Sequence, residues 1–224
     1  MYVLAVDTSS PAVMTGVVSV DDPGGRSAGV VAAAERAPLA ARGHGELLAP
    51  CIAEVLREAG VDAGDLAAVV AGTGPGPFTG LRVGLVTAAA FADALGLPTY
   101  GVCSLDAIGL ACADETALLV ASDARRREVY WARYEHGAPV GAPAVGAAAD
   151  VPLDGLTAVA GAGGELYADV WPELARRTER YPDPVSLVRC ALPRLTGAAP
   201  SEALTPLYLR RPDAVPGAPK RVSQ

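Results

Sequence analysis

Lysine is almost missing from this chain of 224 residues, where Lys220 stands alone against 17 arginines. A phosphate-binding or Schiff-base lysine in the body of the fold is therefore excluded. Histidine is nearly as scarce: His44 and His136 are the two present, and no H-E-x-x-H zinc motif can be written. Positive charge as a whole is short, at 18 Lys and Arg against 25 Asp and Glu, a net charge of −7. Such a surface does not by itself attract a phosphate backbone, so any role with nucleic acid needs a basic partner or a local patch. Aromatic residues make up 5%, while alanine fills 45 positions. The expected core is thus closely packed Ala, Val and Leu. Apolar stretches are broken by Asp, Gly or Arg well before about 20 residues, so no transmembrane helix is expected. Met1–Val6 runs directly into Asp7 without a basic region or a small-residue cleavage site. No signal peptide is expected, and a cytoplasmic location follows. Cys51, Cys103, Cys112 and Cys190 show no C-x-x-C spacing and read as buried thiols rather than a zinc or redox pair. The 25 glycines and 19 prolines have no period, which excludes collagen-like and low-complexity classes.

Apolar runs separated by turn residues give the organisation. Tyr2–Val6, Val13–Val20 and Gly29–Ala34 read as three strands, joined by Asp7-Thr-Ser-Ser-Pro11 and Asp21-Asp-Pro-Gly-Gly25. A helix over Glu46–Ala59 places Leu48, Ile52, Val55, Leu56 and Ala59 on one face and ends at Gly60. Strand Leu66–Ala71, helix Thr79–Leu95 and strand Pro98–Val102 follow, with Thr79 as the expected N-cap. The order β-β-β-α-β-α-β predicts a ribonuclease-H-like α/β half. The rest reads as a degenerate echo: helix Leu105–Ala113, strands Ala117–Ser122, Glu128–Tyr134 and Thr157–Ala160, then helices Glu165–Arg177 and Pro184–Leu195. Two lobes, 1–103 and 104–197, with a tail over 198–224 draping the surface, are the expected domains.

Two loops could carry chemistry. Asp7-Thr8-Ser9 closes the first strand, where a carboxylate can hold a metal and backbone N–H groups can cradle phosphate. The same residues can equally make an Asx-turn that stitches a hairpin, which the spacing alone favours. Gly72-Thr-Gly-Pro-Gly-Pro-Phe-Thr-Gly-Leu-Arg82 presets a backbone opening onto a helix N-terminus, a setting that suits anions. It lacks the Gly-Lys-Ser/Thr of a Walker loop and serves as well as a stiff strand-to-helix connector. Gly84, Ala88 and Ala92 recur every fourth residue, allowing close approach of this chain's own sheet or of another chain's helix. Asp123 with Arg125–Arg127 reads as a surface ion-pair cluster, and Tyr130, Trp131 and Tyr134 as core or interface aromatics. No catalytic residue, metal cluster or cofactor site emerges.

Val3-Leu-Ala-Val-Asp-Thr-Ser9, His44-Gly-Glu-Leu-Leu-Ala-Pro50, Gly74-Pro-Gly-Pro-Phe-Thr-Gly-Leu-Arg-Val-Gly84, Asp123-Ala-Arg-Arg126 and Pro206-Leu-Tyr-Leu-Arg210 occur in one order. Together they resemble the TsaB (YeaZ) family, and the resemblance spans nearly the whole chain. It implies an ASKHA fold (actin, Hsp70 and sugar kinases) of two RNase-H-like lobes. It also implies a non-catalytic scaffold that homodimerises when alone, or pairs with the paralogue TsaD. That pair transfers threonylcarbamoyl from its adenylate to adenosine 37 of ANN-decoding tRNAs, with the ATPase TsaE joining the complex and tRNA contacted mainly through the complex. On this resemblance the pairing surface is expected at His44, Leu48, Ile52, Val55, Leu56, Phe78, Leu81, Leu85, Ala88 and Ala92. A degenerate nucleotide site is expected at Asp7, Thr8, Ser9, Gly74 and Gly76. The metal-binding His-x-x-x-His of TsaD-like proteins is matched here by Ser104 and Ile108, neither of which replaces an imidazole. The glycine that usually follows the first-loop Asp of ATP-binding relatives is absent. The rival classes are an ATP-dependent ASKHA phosphotransferase or ATPase and a glycoprotease-like peptidase.

Overall fold

A computed structural model describes residues 1–21, 29–40 and 43–210. The turn expected over 22–25 and the tail beyond Arg210 lie outside the described residues. Ten strands form two five-stranded sheets. In the first, β1 (Tyr2–Asp7), β2 (Met14–Asp21) and β3 (Gly29–Arg36) form an antiparallel meander, and β4 (Leu66–Gly72) and β5 (Thr99–Val102) add in parallel. The order is β3-β2-β1-β4-β5. The second sheet is built from β6 (Leu118–Asp123), β7 (Glu128–Glu135), β8 (Ala138–Ala147), β9 (Ala158–Ala160) and β10 (Ala175–Arg176). Its order β8-β7-β6-β9-β10 repeats the first, with the same two antiparallel and two parallel pairings.

Strand alternation explains the layers. Along β1, Leu4 and Val6 face one side and Val3 and Ala5 the other, and all four are buried. Leu4 and Val6 meet α1 (His44–Ala59) and α2 (Phe78–Leu95), which bring Leu48, Ile52, Val55, Leu81, Leu85, Ala88 and Ala92. The opposite face receives Leu187, Val188 and Ala191 of α5 (Pro184–Thr196). This last helix therefore returns to the first sheet, whereas a division at 104–197 assigns it to the second lobe. The second sheet packs α3 (Ser104–Ala111) on one face, through Leu105, Ile108, Tyr130 and Tyr134. On its other face lie Trp171 and Leu174, near the short α4 (Ala162–Leu166).

Three features depart from the sequence reading. No helix spans Glu165–Arg177: α4 stops at Leu166, turns follow, and Ala175–Arg176 is a strand. Pro172 has no N–H to give a helix and disfavours its continuation, and Trp171 and Leu174 reach the core from the turns instead. The ten-residue β8 falls in a region rich in Ala, Gly and Pro that gave no strand signal, and cross-strand pairing with β7 overrides the poor propensity. Its edge position tolerates Pro139 and Pro143. Between β7 and β8, His136 and Gly137 both have positive φ (49° and 78°), the requirement of a two-residue type I′ hairpin. Third, α2 begins at Phe78 with Pro77 as N-cap, so Thr79 lies within the first turn.

The small residues of α2 face inward onto this chain's own β1–β2 loop and sheet. A Cβ on Gly84 would collide with the Thr8 hydroxyl, and one on Gly80 would press on the Thr8 carbonyl. Gly84→Val is expected to lower unfolding free energy by about 1–3 kcal/mol, read by urea denaturation. Thr79→Ala, at an exposed position of the same turn, is expected to change it by less than about 0.5 kcal/mol.

Candidate functional site

The β1–β2 loop, the Gly-Pro loop before α2 and the start of α3 meet at Asp7. Its carboxylate is 1% exposed. The Ser9 backbone N–H and hydroxyl donate to Oδ1 at 2.8 and 2.7 Å, and the Ser104 hydroxyl donates to Oδ2. Ser104 is in turn bracketed by Gly74, whose N–H donates to its Oγ at 3.1 Å and whose carbonyl accepts its N–H at 2.8 Å. Gly72 lets the carboxylate lie against β4, since a Cβ there would occupy the position of Asp7 Oδ2. The Thr8 hydroxyl donates to the Gly80 carbonyl at 2.8 Å, and a Cβ on Gly76 would run into the Ser9 main chain. Burial pushes the Asp7 pKa above its ordinary 3.8, with the serine hydrogen bonds opposing it.

The five residues expected for a degenerate nucleotide site thus come together, but as a closed knot. Thr8, Ser9 and Gly76 line the cleft between the lobes, while Asp7 and Gly74 lie behind its wall. That cleft encloses about 1280 Å³. Pro75, Pro77 and Phe78 form part of one wall, Ser122, Asp123 and Arg125 part of the other, and Tyr208, Leu209 and Arg210 one border. In the β6–β7 turn, Arg125, Arg126 and Arg127 all have positive φ. Asp123 Oδ1 accepts the Arg125 N–H at 2.7 Å, so the aspartate builds an Asx turn that holds this uncommon backbone. Among the described residues no group of three or more His, Cys, Asp or Glu side chains is placed to hold a metal ion. The thiols of Cys103, Cys112 and Cys190 are pushed up to about 12 by burial, which leaves them poor nucleophiles.

The surface on α1 and α2 needs a correction. Leu48, Ile52, Val55, Leu81, Leu85, Ala88 and Ala92 are at most 4% exposed, spent on the first lobe's own core. They cannot present side chains to a partner. Leu56 packs half-buried against the same core, and His44 Nε2 lies 3.0 Å from the Ser10 carbonyl. Phe78 does reach the surface, at 43% exposure. Periodicity found the apolar stripe but could not tell an inward face from an outward one. The outward face of α2 carries Val86, 67% exposed, with Ala89 and Ala90, and α1 exposes Ala49 and Ala53. By length and composition α2 is apolar enough to cross a membrane, at a mean hydropathy of 1.3, yet its inner face is packed on a sheet. Sequence reasoning also passed over Ser104 as a hub and the contacts of Tyr208 and Arg210, although Pro206–Arg210 stood out as a motif.

Two lobes with one strand order and a cleft between them define the ASKHA class of fold. Residues 36–212 match the family model described as "TsaD: tRNA N6-adenosine threonylcarbamoyltransferase". The chain is 48% identical over 216 residues to an uncharacterized protein of Mycobacterium tuberculosis strain H37Rv, covering 96% of this chain and 94% of that one. It is 36% identical over 100 residues to the tRNA threonylcarbamoyladenosine biosynthesis protein TsaB of Escherichia coli K12, covering 43% of each. The solved structure of YeaZ from Pseudomonas aeruginosa superposes with a TM-score of 0.76 at 26% identity, over 93% of this chain and 99% of that one. The chain belongs to this family, on its TsaB (YeaZ) side.

The raised Asp7 pKa has a signed consequence. Above pH 3.8 the unfolded chain releases this proton while the folded chain retains it, so stability falls as pH rises from 3.8 to the raised folded value. Asp7→Asn keeps an acceptor for Ser9 and removes the titration. The stability of wild type relative to Asp7→Asn is therefore expected to decline with rising pH across that window, measured by denaturation at a series of pH values.

Proposed function

We propose that this chain is the non-catalytic, activating subunit of a complex that forms threonylcarbamoyladenosine on tRNA. It pairs with a TsaD-type subunit, which carries out the transfer, and helps to recruit a TsaE-type ATPase. Alone it forms a homodimer through the same surface. It is a cytoplasmic protein that meets tRNA mainly through the complex. The observation that carries this reading is the two-sided apolar character of α2. One face fills the first lobe's core, and the other exposes Val86, Ala89 and Ala90 beside Ala49 and Ala53 of α1. Small residues on two adjacent helices suit a close helical interface with another subunit. A stable pairing of ordinary size buries about 1,600 Å² in total. The closed state of Asp7 supports a non-catalytic role, because its carboxylate is 1% exposed, accepts three hydrogen bonds from Ser9 and Ser104, and does not line the cleft.

The open cleft favours a second reading, an ATP-binding phosphotransferase, since Thr8, Ser9 and Gly76 border it opposite Asp123 and Arg125. The two readings separate on what the isolated chain does with Mg²⁺ and ATP.

Size-exclusion chromatography with light scattering, on the chain alone and mixed with the TsaD of the same organism, tests the pairing. The expected result is a one-to-one complex, with tRNA threonylcarbamoylation appearing only in the mixture. Val86→Arg combined with Ala90→Arg is expected to abolish pairing with little change in melting temperature. Ala88→Arg, in the core, is expected to unfold the chain. A double variant that is folded and pairs normally would contradict the assignment of the surface.

A further inference from the structure

The last described segment, 199–210, crosses from one lobe to the other. On the first lobe it caps the free edge of β5. The Glu202 N–H donates to the Thr99 carbonyl at 2.8 Å, Thr99 N–H donates to Ser201 Oγ at 3.0 Å, and Tyr100 Oη donates to the Ala199 carbonyl at 2.8 Å. Arg194 pairs with Glu202 at 2.7 Å, and the Leu207 N–H donates to the Thr73 carbonyl at 2.8 Å. Leu204 joins the core beneath α1 and α2. A few residues on, Leu209 packs into the core of the second lobe. Arg210 donates to the Ala124 carbonyl at 2.8 Å, in the β6–β7 turn, and faces Glu128 Oε2 at 3.4 Å, at the start of β7. Between these anchors Tyr208 stacks on Phe78, ring centroids 5.2 Å apart, and accepts a 2.8 Å hydrogen bond from Arg82 Nε, whose guanidinium lies over Phe78.

We infer that this segment is an inter-lobe clasp that sets the opening of the cleft, with Arg210 and Leu209 as its catch on the second lobe. Leu204 and Leu209 pack, each half-buried, against the cores of different lobes, so separating the lobes at this border exposes one of them. Among the described residues, the Arg210 side chain reaches the Ala124 carbonyl and Glu128 on the second lobe, whereas the first-lobe side is held at several points. The clasp therefore opens at its Arg210 end while the β5 end stays bound. Phe78 and Arg82 stand at the N-terminal end of α2, beside the surface assigned above to the partner subunit. A partner covering that end would bear directly on Tyr208. This last link rests on the proposed pairing, while the clasp itself does not.

Amide hydrogen exchange and small-angle X-ray scattering on the full chain, without partner, test it. In Arg210→Ala the amides of Ala124 and Glu128 are expected to exchange at least about 10-fold faster, with a larger radius of gyration, while those of Glu202, β1 and β4 stay unchanged. Tyr208→Ala, which removes the stack but leaves Arg210 in place, is expected to speed Leu207 more than Ala124. Unchanged exchange and radius in Arg210→Ala would overturn the clasp. So would uniform acceleration across both sheets, because that reports general loss of stability. Neither outcome bears on pairing with a TsaD-type subunit, which the chromatography measures separately.

Discussion

The carboxylate of Asp7 is buried at the meeting point of four segments, and their relative positions follow from how it is satisfied. A buried carboxylate is costly unless donors surround it. Ser9 and Ser104 supply three hydrogen bonds, one group from the loop after β1 and the other from the first turn of α3. Gly72 supplies the space on β4, and Gly74 ties Ser104 back to the loop that launches α2. Strand β1, strand β4, helix α2 and helix α3 are thereby fixed together at the C-terminal end of the sheet's central strand. That end also borders the cleft. The interaction that organises the lobe thus also turns this acidic group away from the cleft.

Beyond the closed Asp7 knot, the exposed apolar face of α2 is the prominent surface feature. Helix α2 is apolar around most of its circumference, a pattern that in a water-soluble fold calls for cover on both sides. The sheet covers one side. The other lies open next to the small residues of α1, with Phe78 at its N-terminal end bridging to the clasp. The surface proposed for a partner and the border of the cleft are therefore continuous through Phe78, Arg82 and Tyr208.

Much of the first lobe was legible from the sequence. Runs such as Val3–Val6 and Leu66–Ala71 are apolar at every position because both sheet faces are covered, and Gly60 and Gly96 end their helices in the left-handed region. The second lobe was harder to read. Its strand β8 is made of Ala, Gly, Pro and Val, and nothing in that composition announces a strand; the His136-Gly137 turn was the available signal. Around Trp171, large apolar side chains enter the core from turns, a pattern that mimics helical spacing. The loops of the candidate site were found by their glycines and prolines, but whether they cradle a ligand or close on one another depends on Ser104, about a hundred residues distant from Asp7. Seven of the ten residues expected to pair lie in the core for a related reason. Leu48 and Ala88 lie on the stripe that spacing detects, and that stripe belongs to the core.

Closed in by Ser9 and Ser104, Asp7 is a structural knot. Isothermal titration of MgATP into the isolated chain, with ATP turnover followed in the same samples, tests whether that is its whole role. A purely structural Asp7 gives no Mg²⁺-dependent turnover and no binding that distinguishes wild type from a folded Asp7→Asn variant. Turnover that requires Mg²⁺ and disappears in Asp7→Asn would contradict it and make this chain an enzyme.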